Sequence, residues 1–256
     1  MKVFLALLSV IVILFNLTFC AAEESARIPE PFLPSSFVTV TDEAEHSELY
    51  NPNYTVDEVF ACFKEVVLST EYTENEQSGA LVQKWILPIF YSIEGDCSEN
   101  DKKVITDFID ELNKIDGFPK MYPAESSRQP CLVMDFMSAG KLYDEMGDVV
   151  RFERSDGISQ FWFLLRVNVI CGAKIGYDRT MADAVRTAVL LEEIVNVLGV
   201  SNDTETRSDS IVYSGYTEID TLSEMDWLIL RILYNDEIKC GMNEDECYRA
   251  IKKIYY

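Results

Sequence analysis

From Val56 onward the chain passes through stretches whose apolar residues recur every three or four positions and stretches in which they alternate or run together. Val56, Val59, Phe60, Phe63, Val66 and Val67 fall on one side of a helix. Leu81 to Ile93 reads as a strand or strand pair broken by Pro88, with Tyr91 and Ile93 in period-two spacing and Gly95-Asp96 as the close. Val104, Ile105, Phe108, Ile109, Leu112 and Ile115 mark a helix over Asp101 to Ile115 that stops at Gly117. Cys131 to Phe136 has strand length, and Gln160 to Cys171, rich in aromatic and β-branched residues and ended by Gly172, reads as one further strand. The mixed stretch from Ser138 to Phe152 holds a short helix, and a long helix begins at Ala182. Leu222 to Tyr234 is patterned as a core helix with Ser223 as N-cap and Asp226 in the first turn, and Asn243-x-x-Glu246 is a capping box that opens the last helix. Strands ahead of a long core helix, with another helix before them, predict an α+β domain with a mixed sheet.

The ends of the chain differ from this body. Met1-Lys2 precedes an apolar run from Val3 to Phe15, and Cys20-Ala21-Ala22 gives way abruptly to Glu23-Glu24. A basic start, a short apolar core and a small-residue exit describe a secretory signal peptide over residues 1–22. The run is short for a membrane-spanning anchor, and bulky Phe19 argues against Cys20 as a lipidation site. Residues 23–52, broken by Pro29, Pro31, Pro34 and Pro52, read as an extended lead-in rich in Pro, Ser and Glu, which leaves 53–256 as a single domain. Two sequons, Asn53-Tyr54-Thr55 and Asn202-Asp203-Thr204, are glycan acceptors if the chain is exported from a glycosylating cell.

Export also changes how the cysteines are read. Beyond residue 22 the chain keeps Cys62, Cys97, Cys131, Cys171, Cys240 and Cys247, an even set that suggests disulfides. Cys240 with Cys247 is the favoured pair, because the capping box folds the loop before it onto the first turn of the last helix. The absence of any C-x-x-C spacing disfavours a cysteine metal site. Net charge is −22, and one unit more negative once Lys2 is removed. Such a surface repels nucleic acid and anionic lipid, so neither is expected as a partner, and no membrane insertion is expected after signal cleavage.

The candidate chemistry lies in the long helix, Leu190-Leu191-Glu192-Glu193-Ile194-Val195-Asn196-Val197-Leu198-Gly199, followed by the polar turn Ser201-Asn202-Asp203. Glu192 lies one turn below Asn196, and Glu193 can approach Asn196 as well. Carboxylates on an otherwise apolar helix must find partners or titrate. The spacing follows the zinc-peptidase frame H-E-x-x-H-x-x-G-x-x-H/D, with Glu193 in the base position and Gly199 in the turn position. The ligand positions hold Glu192, Asn196 and Asn202, and the only histidine of the chain, His46, lies far upstream in the lead-in. No zinc site can be built from these residues, and no metal or other cofactor is expected. Ser210-Ile211-Val212 stands where such enzymes have a Ser-Ile-Met turn.

These residues resemble a known family, the bacterial domain of unknown function 2927, which looks like a degenerate zincin of the metzincin type. The resemblance is carried by Glu192-Glu193, Asn196, Leu198-Gly199, Asn202-Asp203, Asp209-Ser210-Ile211, Asp226 to Leu230-Arg231 to Tyr234, and Gly241-Met242, in the family's order. It departs at Asn196, where the family usually has Gln, and extends more weakly to Lys84-Trp85 and Pro88. The resemblance implies a zincin-like fold and no established activity. Three functions follow as expectations. One is a secreted, non-proteolytic binding or structural module for an unknown protein or small-molecule ligand, with Asn196, Asn202, Asp203 and Ser210 as its polar cluster. The second is a metal-independent hydrolase with Glu192 and Glu193 as acid and base. The third is a site for an oxygen-preferring ion at Glu192, Asn196 and Asp203.

Overall fold

Capping chemistry sets most of the helix starts in the computed structural model, which describes residues 47–68, 81–146, 156–215 and 218–256. Helix α1 (Val56–Val67) opens on a capping box between Thr55 and Glu58, α5 (Glu224–Tyr234) on one between Ser223 and Asp226, and α6 (Glu244–Tyr255) on Asn243 and Glu246. Helix α2 (Glu99–Leu112) begins at Ser98, whose hydroxyl accepts from the Asp101 N–H, so it starts two residues earlier than its apolar spacing predicts. Helix α3 (Ala139–Met146) lies within the stretch expected to hold a short helix, and the remainder of that expectation, 147–152, lies outside the described residues. Helix α4 (Asp183–Val197) is the long central helix and has no side-chain cap.

The sheet is mixed and five-stranded, in the order β2-β1-β3-β5-β4. Strands β1 (Ile89–Gly95), β2 (Met121–Pro123), β3 (Leu132–Met137) and β5 (Val169–Asp178) are parallel, and β4 (Gly157–Leu164) runs antiparallel to β5 at one edge. The single strand expected over Gln160 to Cys171 is therefore two strands joined at Leu165–Asn168. The turn closes without Gly or Pro: the Val167 and Asn168 amides both donate to the Leu164 carbonyl, and Asn168 takes φ 52°, a conformation Asn tolerates. Of the strand or strand pair expected over Leu81 to Ile93, β1 forms after Pro88, and the part before it makes one bridge, Lys84 to Val169.

One face of the sheet carries the core. Ile89, Tyr91, Leu132, Met134, Phe136, Ala173, Ile175 and Tyr177 are buried there in one apolar cluster with α1, α2, α4, α5 and α6. The opposite face is covered in part by α3, where Met137, Leu142, Met146 and Ile158 form a separate small cluster. Residues 47–52, read as lead-in, also pack on the domain. Ser47 donates to the Ile254 carbonyl, and the Tyr255 hydroxyl donates to the carbonyls of Asn51 and Tyr54. The signal-peptide segment and His46 lie outside the described residues.

All six cysteines in the described residues are free, which corrects the expected Cys240–Cys247 bridge. The capping box forms as expected but holds the two thiols in different surroundings. Cys240 donates to the Lys84 carbonyl, while Cys247 is fully buried in the core beneath α6.

Candidate functional site

Two aromatic side chains fix the C-terminal end of α4, and a lysine that of α5. The Trp85 indole N–H donates to the Val197 carbonyl at 2.8 Å and the Tyr234 hydroxyl to the Leu198 carbonyl at 2.9 Å, so two carbonyls left open at the helix end are satisfied. Buried Lys84 does the same for α5, donating to the Leu233 carbonyl at 2.7 Å, and burial lowers its pKa to about 8. Gly199 then turns the chain with φ 103°, and a side chain there would collide with the Gln83 carbonyl. The sequence expected Gly199 to end this helix, and it does.

With the helix fixed, Glu193 points at the edge strand. It is 7% exposed and lies directly over Gly157 at the start of β4. A Cβ built on Gly157 would lie 2.8 Å from both Cγ and Oε1 of Glu193 and 2.7 Å from Val189 Cγ1, so this glycine makes the space that the carboxyl occupies. Ser159, two residues along the same strand face, and Asn196, three residues along the helix, are its hydrogen-bonding neighbours. Burial pushes the Glu193 pKa up, Ser159 and Asn196 work against the rise, and the charge of Asp203 adds to it. Glu192 is likewise raised, first by burial and then by the charges of Glu193 and Asp203. Tyr177 on β5, cross-strand from Gly157, closes the interior side; its hydroxyl donates to the Leu190 carbonyl at 2.9 Å.

Glu193 is buried against β4, while Glu192 and Asp203 are half-buried, and the charge of Asp203 acts on both glutamates. No cation from the described residues is paired with Glu192 or Glu193. The Oδ1 of Asn196 is buried without a hydrogen-bond donor. Burial of the two glutamates favours protons on their carboxyls. Among the described residues no group of three or more His, Cys, Asp or Glu side chains is arranged to hold a metal ion. A cleft of about 840 Å³ lies elsewhere, beside Phe108, Thr187 and Trp227.

The remaining residues of the expected polar cluster go elsewhere. The Asn202 N–H donates to the Val66 carbonyl of α1, and the residue is 4% exposed, so the Asn202 sequon is shielded while Asn53 stands in solvent. Ser210 joins a second buried centre built on Asp226. Its hydroxyl donates to Asp226 Oδ1 at 2.6 Å, and the amides of Ile211 and Ser223 donate to Oδ2 at 3.0 and 2.9 Å. Helix α5, expected to be core alone, therefore also anchors the turn after α4. Glu193 thus faces β4, and Asp226 holds the turn.

Gly157, Ser159 and Tyr177 were not read from the sequence as site residues. A glycine at the first position of an aromatic strand was the available signal for Gly157. Lengthening it tests the packing: Gly157→Ala is expected to destabilise the protein by roughly 1–3 kcal/mol, measured by urea unfolding, because the neighbouring carboxyl must be displaced.

The fold and site together define an α+β domain in which a buried glutamate on the central helix is laid against an antiparallel edge strand. Residues 57–253 match the family described as protein of unknown function (DUF2927), and the chain belongs to that family. A search among curated proteins finds none that matches.

Proposed function

We propose that this chain is an exported, zincin-like binding module without peptidase activity, and that it receives a cationic group, such as a lysine or arginine side chain of a partner, at Glu192, Glu193 and Asp203. The observation that carries this reading is the pair of raised carboxyls, Glu192 and Glu193, both under the charge of Asp203, beside Asn196, whose buried Oδ1 has no hydrogen-bond donor among the described residues. A guanidinium or ammonium group brings positive charge to the glutamates and an N–H donor to the Asn196 Oδ1. The zincin-like relationship is supported by the order of the sheet, by the position of β4 against α4, and by Glu193 and Gly199 in the base and turn positions. Proteolysis of that type needs a metal to polarise the carbonyl and activate water, and Glu192, Asn196 and Asn202 in the ligand positions do not form a zinc set.

The test is a library of short peptides incubated with the protein, with and without added zinc, and read by mass for both cleavage and retention. The expected result is no cleavage in either condition, no change for Glu193→Ala, and enrichment of Lys- and Arg-containing peptides that Glu192→Gln with Asp203→Asn removes. Cleavage by the wild type that Glu193→Ala abolishes would overturn the reading.

A second reading is favoured by one observation, the raised pKa values of Glu192 and Glu193, which let these carboxyls hold a proton toward neutral pH for acid–base chemistry. A metal-independent hydrolase acting on glycosides would use such a pair, and a glycoside screen with Glu192→Gln and Glu193→Gln as controls decides it.

A further inference from the structure

Exposed apolar side chains are not scattered over this surface. Leu165 (83%), Leu87 (67%), Ile86 (56%), Trp162 (54%), Leu164 (53%) and Val167 (50%) all lie at one end of the sheet. Among the described residues only Leu81, Tyr122 and Tyr256 are comparably exposed large apolar side chains elsewhere. The β4–β5 hairpin supplies four of the six. The segment at Ile86-Leu87 is brought alongside by the Lys84–Val169 bridge and by the Ile170 amide, which donates to the Lys84 carbonyl. Concentrated apolar surface of this kind marks a contact site.

We infer that this hairpin tip seats in the headgroup region of a zwitterionic phospholipid bilayer. The charge of the tip points there. Arg166 is the only charged residue between Phe161 and Asn168, it is exposed, and it forms no ion pair among the described residues, whereas the chain as a whole carries −22. A guanidinium raised among apolar side chains is complementary to a lipid phosphate, with its stem lying along the apolar surface. The acidic body is repelled by anionic membranes, which leaves zwitterionic lipid as the fitting surface. Two backbone amides of the tip, those of Val167 and Asn168, are already paired with the Leu164 carbonyl. Trp162 stands where an interfacial anchor is wanted, on β4 just behind the turn. This seating goes beyond the expectation from net charge alone, and it is independent of the carboxyl region on α4.

Quenching of tryptophan fluorescence by vesicles of brominated phosphatidylcholine tests it with the full chain. Of the other two tryptophans, Trp85 is buried and Trp227 is half-buried against Phe108, so Trp162→Phe identifies the signal that belongs to the tip. The expected result is quenching that Trp162→Phe removes and that Leu165→Glu with Val167→Glu weakens by about tenfold or more in lipid concentration. Both substituted positions are exposed, so circular dichroism should show the fold unchanged. Absence of quenching at Trp162, including in chain that co-sediments with the vesicles, overturns the inference, as does quenching that the double variant leaves intact. Self-association in sedimentation equilibrium that the double variant abolishes, without quenching, would also overturn it and assign the tip to a protein partner.

Discussion

Glu193→Ala is expected to cost roughly 2–4 kcal/mol at pH 5, and Glu193→Gln less than about 1 kcal/mol, in denaturant unfolding followed by circular dichroism. Alanine leaves a cavity over Gly157 and strands Ser159 and Asn196, whereas glutamine fills the space and resembles the protonated acid. The pH dependence follows from the direction of the shifts. Glu192 and Glu193 are both raised above the ordinary 4.5, so the native protein keeps protons over a range in which the unfolded chain has released them. The native state binds more protons there, and its stability is therefore full below 4.5 and falls as pH rises through the raised values. Glu193→Gln removes one of these groups. It should flatten the profile and leave the variant more stable than the wild type in mildly alkaline buffer, on the order of 3 kcal/mol. The cost of Glu193→Ala should shrink over the same range, because the wild type itself is losing stability. A wild-type profile that rises from pH 5 to pH 9 would contradict the assignment.

Asp226→Ala should be the most damaging single change, with a loss of roughly 3–5 kcal/mol in the same measurement. The carboxylate accepts from the Ser210 hydroxyl and from the amides of Ile211 and Ser223, and it is 8% exposed. Removing it leaves three donors without a partner and releases both the start of α5 and the turn after α4. Asp226→Asn keeps one oxygen but sets an amino group against one group of donors, so an intermediate loss is expected. Ser210→Ala removes one bond and should cost about 1 kcal/mol. If Asp226→Ala leaves stability within about 0.5 kcal/mol of the wild type, the turn is held by other contacts.

The parts of the fold legible in the sequence are those set by near neighbours. Ser223-x-x-Asp226 and Asn243-x-x-Glu246 formed as capping boxes, and the apolar spacing located the bodies of α1, α2 and α5. Strand β2 was not legible, because Met121–Pro123 is three residues long and is defined by pairing with a strand about 30 residues earlier. The β4–β5 hairpin was read as one strand because its turn is Leu165-Arg166-Val167-Asn168, which has apolar residues where Gly or Pro would mark a break. The candidate site divides in the same way. That Glu193 is buried followed from its place on an apolar helix, but its contact with Gly157 and Ser159 depends on how a distant edge strand crosses that helix. Ser210 was grouped with the wrong carboxylate for a related reason: Ser210 and Asp226 meet only through the tertiary turn.

The charge state of the two glutamates on α4 bears on both the packing and the proposed cation site. Carbon-detected NMR titration of the glutamate side-chain carboxyls, assigned through Glu192→Gln and Glu193→Gln, measures it most directly. The account predicts that Glu192 and Glu193 titrate as an interacting pair well above 4.5 in the free protein, and that a bound arginine peptide moves both downward. Two independent titrations in the ordinary carboxyl range, unaltered by the peptide, would contradict it.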